Sequence, residues 1–165
     1  STWDAVVADF TKAGFRLPTD AEWWWAAMGA KDGTTGYLKA FAGSTGANAV
    51  GDYGWTFENS VIGGKVLNRA VGTKLPNELG IFDMCGNVME WAWDSTQGAN
   101  NDLPNGSLVD YRGPATFSDF HIIHGGAVGY AASACGLGMS ARASANIAQP
   151  GNAYTQGFRV AASGP

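Results

Sequence analysis

The chemistry-bearing residues of this chain fall into a few small groups. Asp83 and Glu90 are carboxylates on either side of a Gly86-Asn87 turn, which lets the backbone carbonyls of Gly86 and Val88 face the same small space. Hard oxygen donors in that mixture suit Ca²⁺. The same residues also read as a turn held by Asp83 and Asn87 side chains on backbone amides, with Glu90 paired to a cation. Cys85 and Cys135 fit neither zinc-ribbon nor CxxC spacing; they could form one bridge, and the favoured reading is two buried thiols packed as small hydrophobes. His121 and His124 stand three apart in an apparent strand, hence on opposite faces, a poor geometry for joint metal binding, and are read as structural or rim residues. Arg16 can tie loop carbonyls or a carboxylate in a bidentate bond, a structural use. No Ser/His/Asp triad, P-loop or HExxH is present, so no catalytic residue follows from motif alone.

The elements that must position these groups are sparse. Trp3, Val6, Val7 and Phe10 recur at helical spacing, which predicts a helix over Trp3 to Ala13 with Gly14 as its left-handed cap. Thr19-Asp20-Ala21-Glu22 reads as a capping box opening a helix from Asp20 to Met28. Trp23, Trp24 and Trp25 cannot share one face of that helix at about 100° per residue, so at least one is half exposed. From Lys31 to Lys74 the pattern is ordered loops packed by Phe41, Tyr53, Trp55 and Phe57. A Cys85-Gly86-Asn87 turn leads into a strand over Val88 to Trp93, and short strands are expected at His121 to His124 and Phe158 to Ala161. Helices first and strands late argue for an α+β domain with a small antiparallel sheet.

Length and composition bound the function. A chain of 165 residues is read as one domain spanning 1–165, and 45% hydrophobic with 15% charged residues excludes disordered, collagen-like and coiled-coil architectures. No apolar run is long enough for a membrane span. With 10 basic and 14 acidic residues and no Lys/Arg stripe, no nucleic-acid partner is expected. The chain starts at Ser1 with no signal or lipidation motif, as a fragment or a processed chain would.

Four ordered blocks carry a resemblance: Gly14-Phe15-Arg16-Leu17-Pro18-Thr19-Asp20-Ala21-Glu22-Trp23; Val71-Gly72-Thr73-Lys74-Leu75-Pro76-Asn77-Glu78-Leu79-Gly80; Ile81-Phe82-Asp83-Met84-Cys85-Gly86-Asn87-Val88-Met89-Glu90-Trp91; and Gly157-Phe158-Arg159-Val160. Together they resemble the formylglycine-generating-enzyme, or sulfatase-modifying-factor, type of C-type lectin fold, without that family's usual N-terminal part. The resemblance implies two helices, a small antiparallel sheet and many loops. It implies structural calcium at Asp83, Gly86, Val88 and Glu90, and no cofactor otherwise. The family's oxidase uses two copper-binding thiols five residues apart; aligning on Gly125-Gly126 places one at Cys135 and Tyr130 at the other, so the resemblance implies a relative that is not an enzyme. Histidines of the iron-dependent sulfur-transferring relatives have no counterpart.

The tail departs from the rest of the chain in composition. From His121 to Pro165 there is no Trp, Lys or Glu, and Ala, Gly, Ser, Asn, Tyr and Thr stand in their place. Gly125-Gly126, Cys135, Arg142, Pro150 and Gly157-Phe158-Arg159 resemble the invariant frame of variable proteins of diversity-generating retroelements built on this lectin fold. Adenine mutagenesis of Asn codons yields Tyr, Ser, Ala, Gly, Thr, Ile or Asp and never Trp, Lys, Glu, Gln or Met, so Met139, Gln149 and Gln156 are expected to be invariant. The variable region is placed at about 121–160. Its ligand-binding positions are expected to be Gly129, Tyr130, Ser133, Ala134, Ala143, Ser144, Asn146, Asn152, Ala153, Tyr154 and Thr155, with the two tyrosines as anchors. What the resemblance implies is a non-enzymatic receptor at the bacterial cell surface or outside the cell. Its partner would be protein or another surface ligand that differs from version to version. The alternatives are a formylglycine-generating-type oxidase, or an accessory module of the same fold with an unvarying carbohydrate or protein partner.

Overall fold

The computed structural model describes residues 9–30, 39–95, 111, 113, 120–135 and 155–163, together with the backbone of 142–146. In chain order the elements are β1 (Gly14–Arg16), α1 (Asp20–Ala27), a short 3-10 turn (Val50–Asp52), α2 (Phe57–Ser60), β2 (Val61–Ile62), β3 (Lys65–Val66), β4 (Met89–Ser95), β5 (Phe120–His124), a second 3-10 turn (Ala132–Cys135), β6 (Arg142–Asn146), β7 (Gln156–Gly157) and β8 (Ala161–Ser163). This is the α+β lectin-type fold expected.

The capping box forms as read. Thr19 Oγ1 accepts from the Glu22 amide at 3.2 Å and the Glu22 carboxylate accepts from the Thr19 amide at 2.8 Å. Of the three tryptophans on α1, Trp23 is buried, Trp24 half-buried and Trp25 exposed, the partition that the helical rotation requires. Arg16 closes a fork on Glu22, with both Nη atoms 2.6 Å from its carboxylate oxygens, and also donates to the Leu17 carbonyl.

Three readings need correction. Residues 9–13 are turn and coil rather than the end of a helix, and the rest of that expected helix lies largely outside the described residues. Gly14 is not a left-handed cap: it opens β1, which pairs antiparallel with β8 through Phe15 opposite Ala162. The expected strand Phe158 to Ala161 is displaced, because 158–160 is a bridging segment between β7 and β8 that lets Arg159 turn inward while Phe158 and Val160 stay exposed.

The described part of the 31–74 stretch is also more regular than ordered loops. Gly63 and Gly64 both take positive φ (56° and 76°) and join β2 to β3 as a two-residue hairpin. The main sheet has strand order β6-β5-β4-β7 and is antiparallel except for the β4–β7 pair, which is parallel. Met89 opposite Gln156 and Glu90 opposite Gly157 set that last register.

The core lies between α1 and the turn before β4. Trp23, Ala27 and Met28 pack with Phe41, Ala42, Met84, Cys85 and Cys135, and a smaller cluster gathers Met89, Ile123 and Ala127 at the β4–β5 pair. Burial of these side chains contributes about 1.5–3 kcal/mol for each large one. Both cysteines are free and buried. Among the described residues no helix is long and apolar enough to cross a membrane.

Candidate functional site

The C-terminal turn is built on glycines that have no room for a side chain. Gly125 and Gly126 take φ of 90° and 70°, and a Cβ on Gly126 would stand 2.7 Å from Cys135 Sγ. A Cβ on Gly157 would stand 2.7 Å from Val88 Cγ2, and one on Gly86 would run into the Trp55 carbonyl. Backbone bonds lock these glycines together. The Gly86 amide donates to the Gly125 carbonyl at 2.7 Å, the Val128 amide to the Asn87 carbonyl at 3.0 Å, and the Met89 amide to the Thr155 carbonyl at 2.7 Å.

The face above this base has the opposite character. Gly129 is exposed, and the nearest atom to a Cβ built there is Thr155 Cγ2 at 4.0 Å, an ordinary contact that also brings Gly129 and Thr155 together. Tyr130 is 44% exposed and Ser133 is exposed, whereas Ala134 and Thr155 are half-buried. The contacts described for this turn run through its main chain. The Tyr130 carbonyl accepts from the Phe57 amide at 2.9 Å, the Tyr130 amide donates to the Ala127 carbonyl at 2.9 Å, and the Ala132 amide reaches the Glu58 carboxylate at 3.1 Å. Of the remaining candidates, Ala143, Ser144 and Asn146 lie on β6 opposite Ile123, Ile122 and Phe120. Asn152, Ala153 and Tyr154 lie outside the described residues.

Beneath the face sit the thiols. Burial pushes the Cys85 thiol up to about 12, against the pull of the Ala42 amide that it accepts from, and pushes Cys135 up to about 11, against the amides of Ala127 and Gly86. Thiols so raised are protonated at neutral pH and are poor nucleophiles.

The chain's residues 2–163 match the model of the sulfatase-modifying factor enzyme 1-like domain. The chain belongs to that family. Over 165 residues it is 32% identical to the formylglycine-generating enzyme of Thermomonospora curvata, covering 98% of this chain and 54% of that protein. Among solved structures it is similar to Treponema denticola variable protein 1, with a TM-score of 0.78 and 32% identity over 98% of this chain and 52% of that one. It is also similar to PvdO from Pseudomonas aeruginosa, with a TM-score of 0.62 and 25% identity over 90% of this chain and 52% of that one. The chain thus spans about half the length of these relatives.

The family's calcium positions can be tested against this geometry. Asp83, at φ 56°, accepts from the Gly72 amide with Oδ2 at 2.7 Å, while its buried Oδ1 has no partner among the described residues. Glu90 does not fit a calcium ligand as arranged. Its Oε2 accepts from Trp23 Nε1 at 2.6 Å and Arg159 Nε at 2.5 Å, and its Oε1 from Arg159 Nη2 at 2.6 Å. A cation there would have to displace the guanidinium. Arg159 also donates to the carbonyls of Phe82 and Asp83, and Asn87 holds Arg69 by both its amide and carbonyl. Asp83 and Asn87 thus hold the turn through backbone groups, and Glu90 is paired with the Arg159 guanidinium. Among the described residues no group of three or more His, Cys, Asp or Glu side chains could hold a metal ion.

Sequence reasoning missed two arrangements. Of the two readings for His121 and His124 the structural one holds and the rim one does not, but their partners were not foreseen: His121 Nδ1 lies 3.1 Å from the Trp93 carbonyl, and His124 Nε2 lies 2.6 Å from Asp20 while its ring stacks on Trp23 at 4.4 Å. Asp20 comes from 104 residues away, a separation that no local pattern encodes. The other is the pair Phe57 and Glu58, which reach the turn from α2 and belong to no motif.

Proposed function

We propose that the chain is the ligand-binding part of a non-enzymatic receptor whose C-terminal region, about 121–160, is diversified by a retroelement and presented on a rigid lectin-fold scaffold at the cell surface. The observation that carries this reading is the contrast between the closed glycines 86, 126 and 157 and the open position 129, beside exposed Tyr130 and Ser133. Side chains that take no part in holding their own backbone are free to change, and binding needs the backbone beneath them not to move. Tyr offers large contact area at small entropy cost while Ser and Gly adapt, so a protein surface is the partner this face suits best.

An oxidase reading is weaker on chemical grounds. Aligned with the family's oxidase, Tyr130 stands where a second thiol would be, and a phenol gives Cu(I) no soft ligand. Likeness to a variable protein and to an enzyme on one fold does not choose between them by itself.

The locus tests the proposal. Sister copies should differ chiefly at 129, 130, 133, 134, 143, 144, 146 and 152–155, matching adenines of a neighbouring template repeat beside a reverse transcriptase. Copies that vary evenly along the chain, with no such repeat, would replace this reading by a module with one unvarying partner.

A further inference from the structure

Cys135 anchors one end of the turn 129–135 in the core, and among the described residues the part that carries Gly129, Tyr130 and Ser133 is also held from α2. We propose that Phe57 and Glu58, the first two residues of α2, are positioning residues for the turn 129–135, gripping it through its main chain alone so that its shape does not depend on the side chains at 129, 130 and 133. The inference rests on reading that turn as the binding face, but the grip is measurable with no ligand present.

Each half of the grip has its own geometry. The Phe57 amide, one of the four that begin a helix without an intrahelical acceptor, donates to the Tyr130 carbonyl at 2.9 Å. Both carboxylate oxygens of Glu58 lie 3.1 Å from the amide of Ala132, the first residue of the 3-10 turn, where an unpaired donor and the local dipole favour an anion. Glu58 is itself aimed, because the Thr56 hydroxyl donates to its Oε2 at 2.6 Å. That hydroxyl, the Glu58 amide and the Ala132 amide hold the carboxyl below the usual Glu range, so it is an anion at neutral pH.

The base of the grip is anchored in turn. Asn59 Oδ1 accepts from the Thr56 amide at 2.8 Å, and Asn59 Nδ2 donates to the carbonyls of Gly54 at 3.0 Å and Gly51 at 3.3 Å. None of these contacts touches a side chain of 129, 130 or 133. A set of receptors differing only at those positions would therefore share one loop shape, which is what lets a single scaffold carry many specificities.

The test is site-resolved amide exchange and ¹⁵N relaxation on the whole chain, comparing the amides of 130–134 with those of β4 and β5. Glu58→Ala should speed exchange at Ala132 about five- to tenfold with β4 and β5 unchanged, and Glu58→Gln, which keeps an acceptor, should recover part of the loss. Phe57→Pro removes only the N–H and the ring at a helix position that tolerates proline, after a Thr56 already extended at φ −117°, ψ 177°. It should loosen the turn while Phe57→Ala, which keeps the N–H, does not. Tyr130→Ser and Ser133→Tyr should leave these amides within about twofold of the parent. Unchanged exchange at Ala132 in Glu58→Ala, or a turn that loosens in Tyr130→Ser, would overturn the proposal. Should the locus lack a template repeat, the receptor reading falls while the exchange result stands.

Discussion

At the scale of single residues, Glu90 is a buried charge with both of its carboxylate oxygens partnered. Glu90 is 6% exposed and takes three donors, two of them from Arg159. Removing the guanidinium leaves a buried carboxylate with Trp23 as its remaining donor, so Arg159→Ala should destabilise by about 3–5 kcal/mol in urea unfolding. Glu90→Gln should cost less, because the Arg159 side chain, at 23% exposed, can turn toward water. The thiols give a prediction in pH. Folding raises Cys85 and Cys135 from 9.0 to about 12 and about 11, so their contribution is complete below pH 9 and is lost as pH climbs through those higher values. Unfolding free energy should fall between pH 9 and 11, and Cys135→Ala, though less stable at pH 7, should show a flatter decline over that window.

Among the elements, the turn before β4 joins the segment at Trp55 to the one at Gly125 through Gly86. Gly86 has φ 74° and no space for a methyl against the Trp55 carbonyl, whereas Gly46 has φ 84° with nothing within 4 Å of a built Cβ. The two substitutions separate backbone strain from collision. Gly46→Ala should cost about 1 kcal/mol, the strain alone, and Gly86→Ala about 3 kcal/mol or more, read from urea midpoints. The elements also show what sequence could and could not reveal. Thr19 to Glu22 carries its own capping chemistry within four residues, and the apolar run at His121 to His124 is closed by Gly125-Gly126, so both are legible. The Gly63-Gly64 hairpin had a local signal that the surrounding loop-rich composition obscured. The β7–β8 segment had none: Arg159 breaks the strand there because its guanidinium seeks Glu90, 69 residues earlier. Asp20 with His124, and Glu58 with Ala132, are likewise pairings that only the folded chain creates.

At the scale of the whole molecule, the described loops pack between α1 and a four-stranded sheet, and at the turn 129–133 Gly129, Tyr130 and Ser133 are exposed above the closed glycines 86, 126 and 157. That asymmetry, a base of glycines that cannot change under positions that can, is the physical content of the receptor reading. Its glycine half is read from the chain's own contacts; that 129, 130 and 133 can change is what the proposed receptor function requires. The most direct measurement randomises 129, 130 and 133 together over Tyr, Ser, Ala, Gly, Thr, Asn, Ile and Asp, and scores each variant of the displayed chain for resistance to protease. The expected result is that most variants match the parent, with unfolding free energies within about 0.5–1 kcal/mol of it. Survival restricted to variants that keep Tyr130 would contradict the account, since that side chain would then be part of the scaffold it is supposed to decorate.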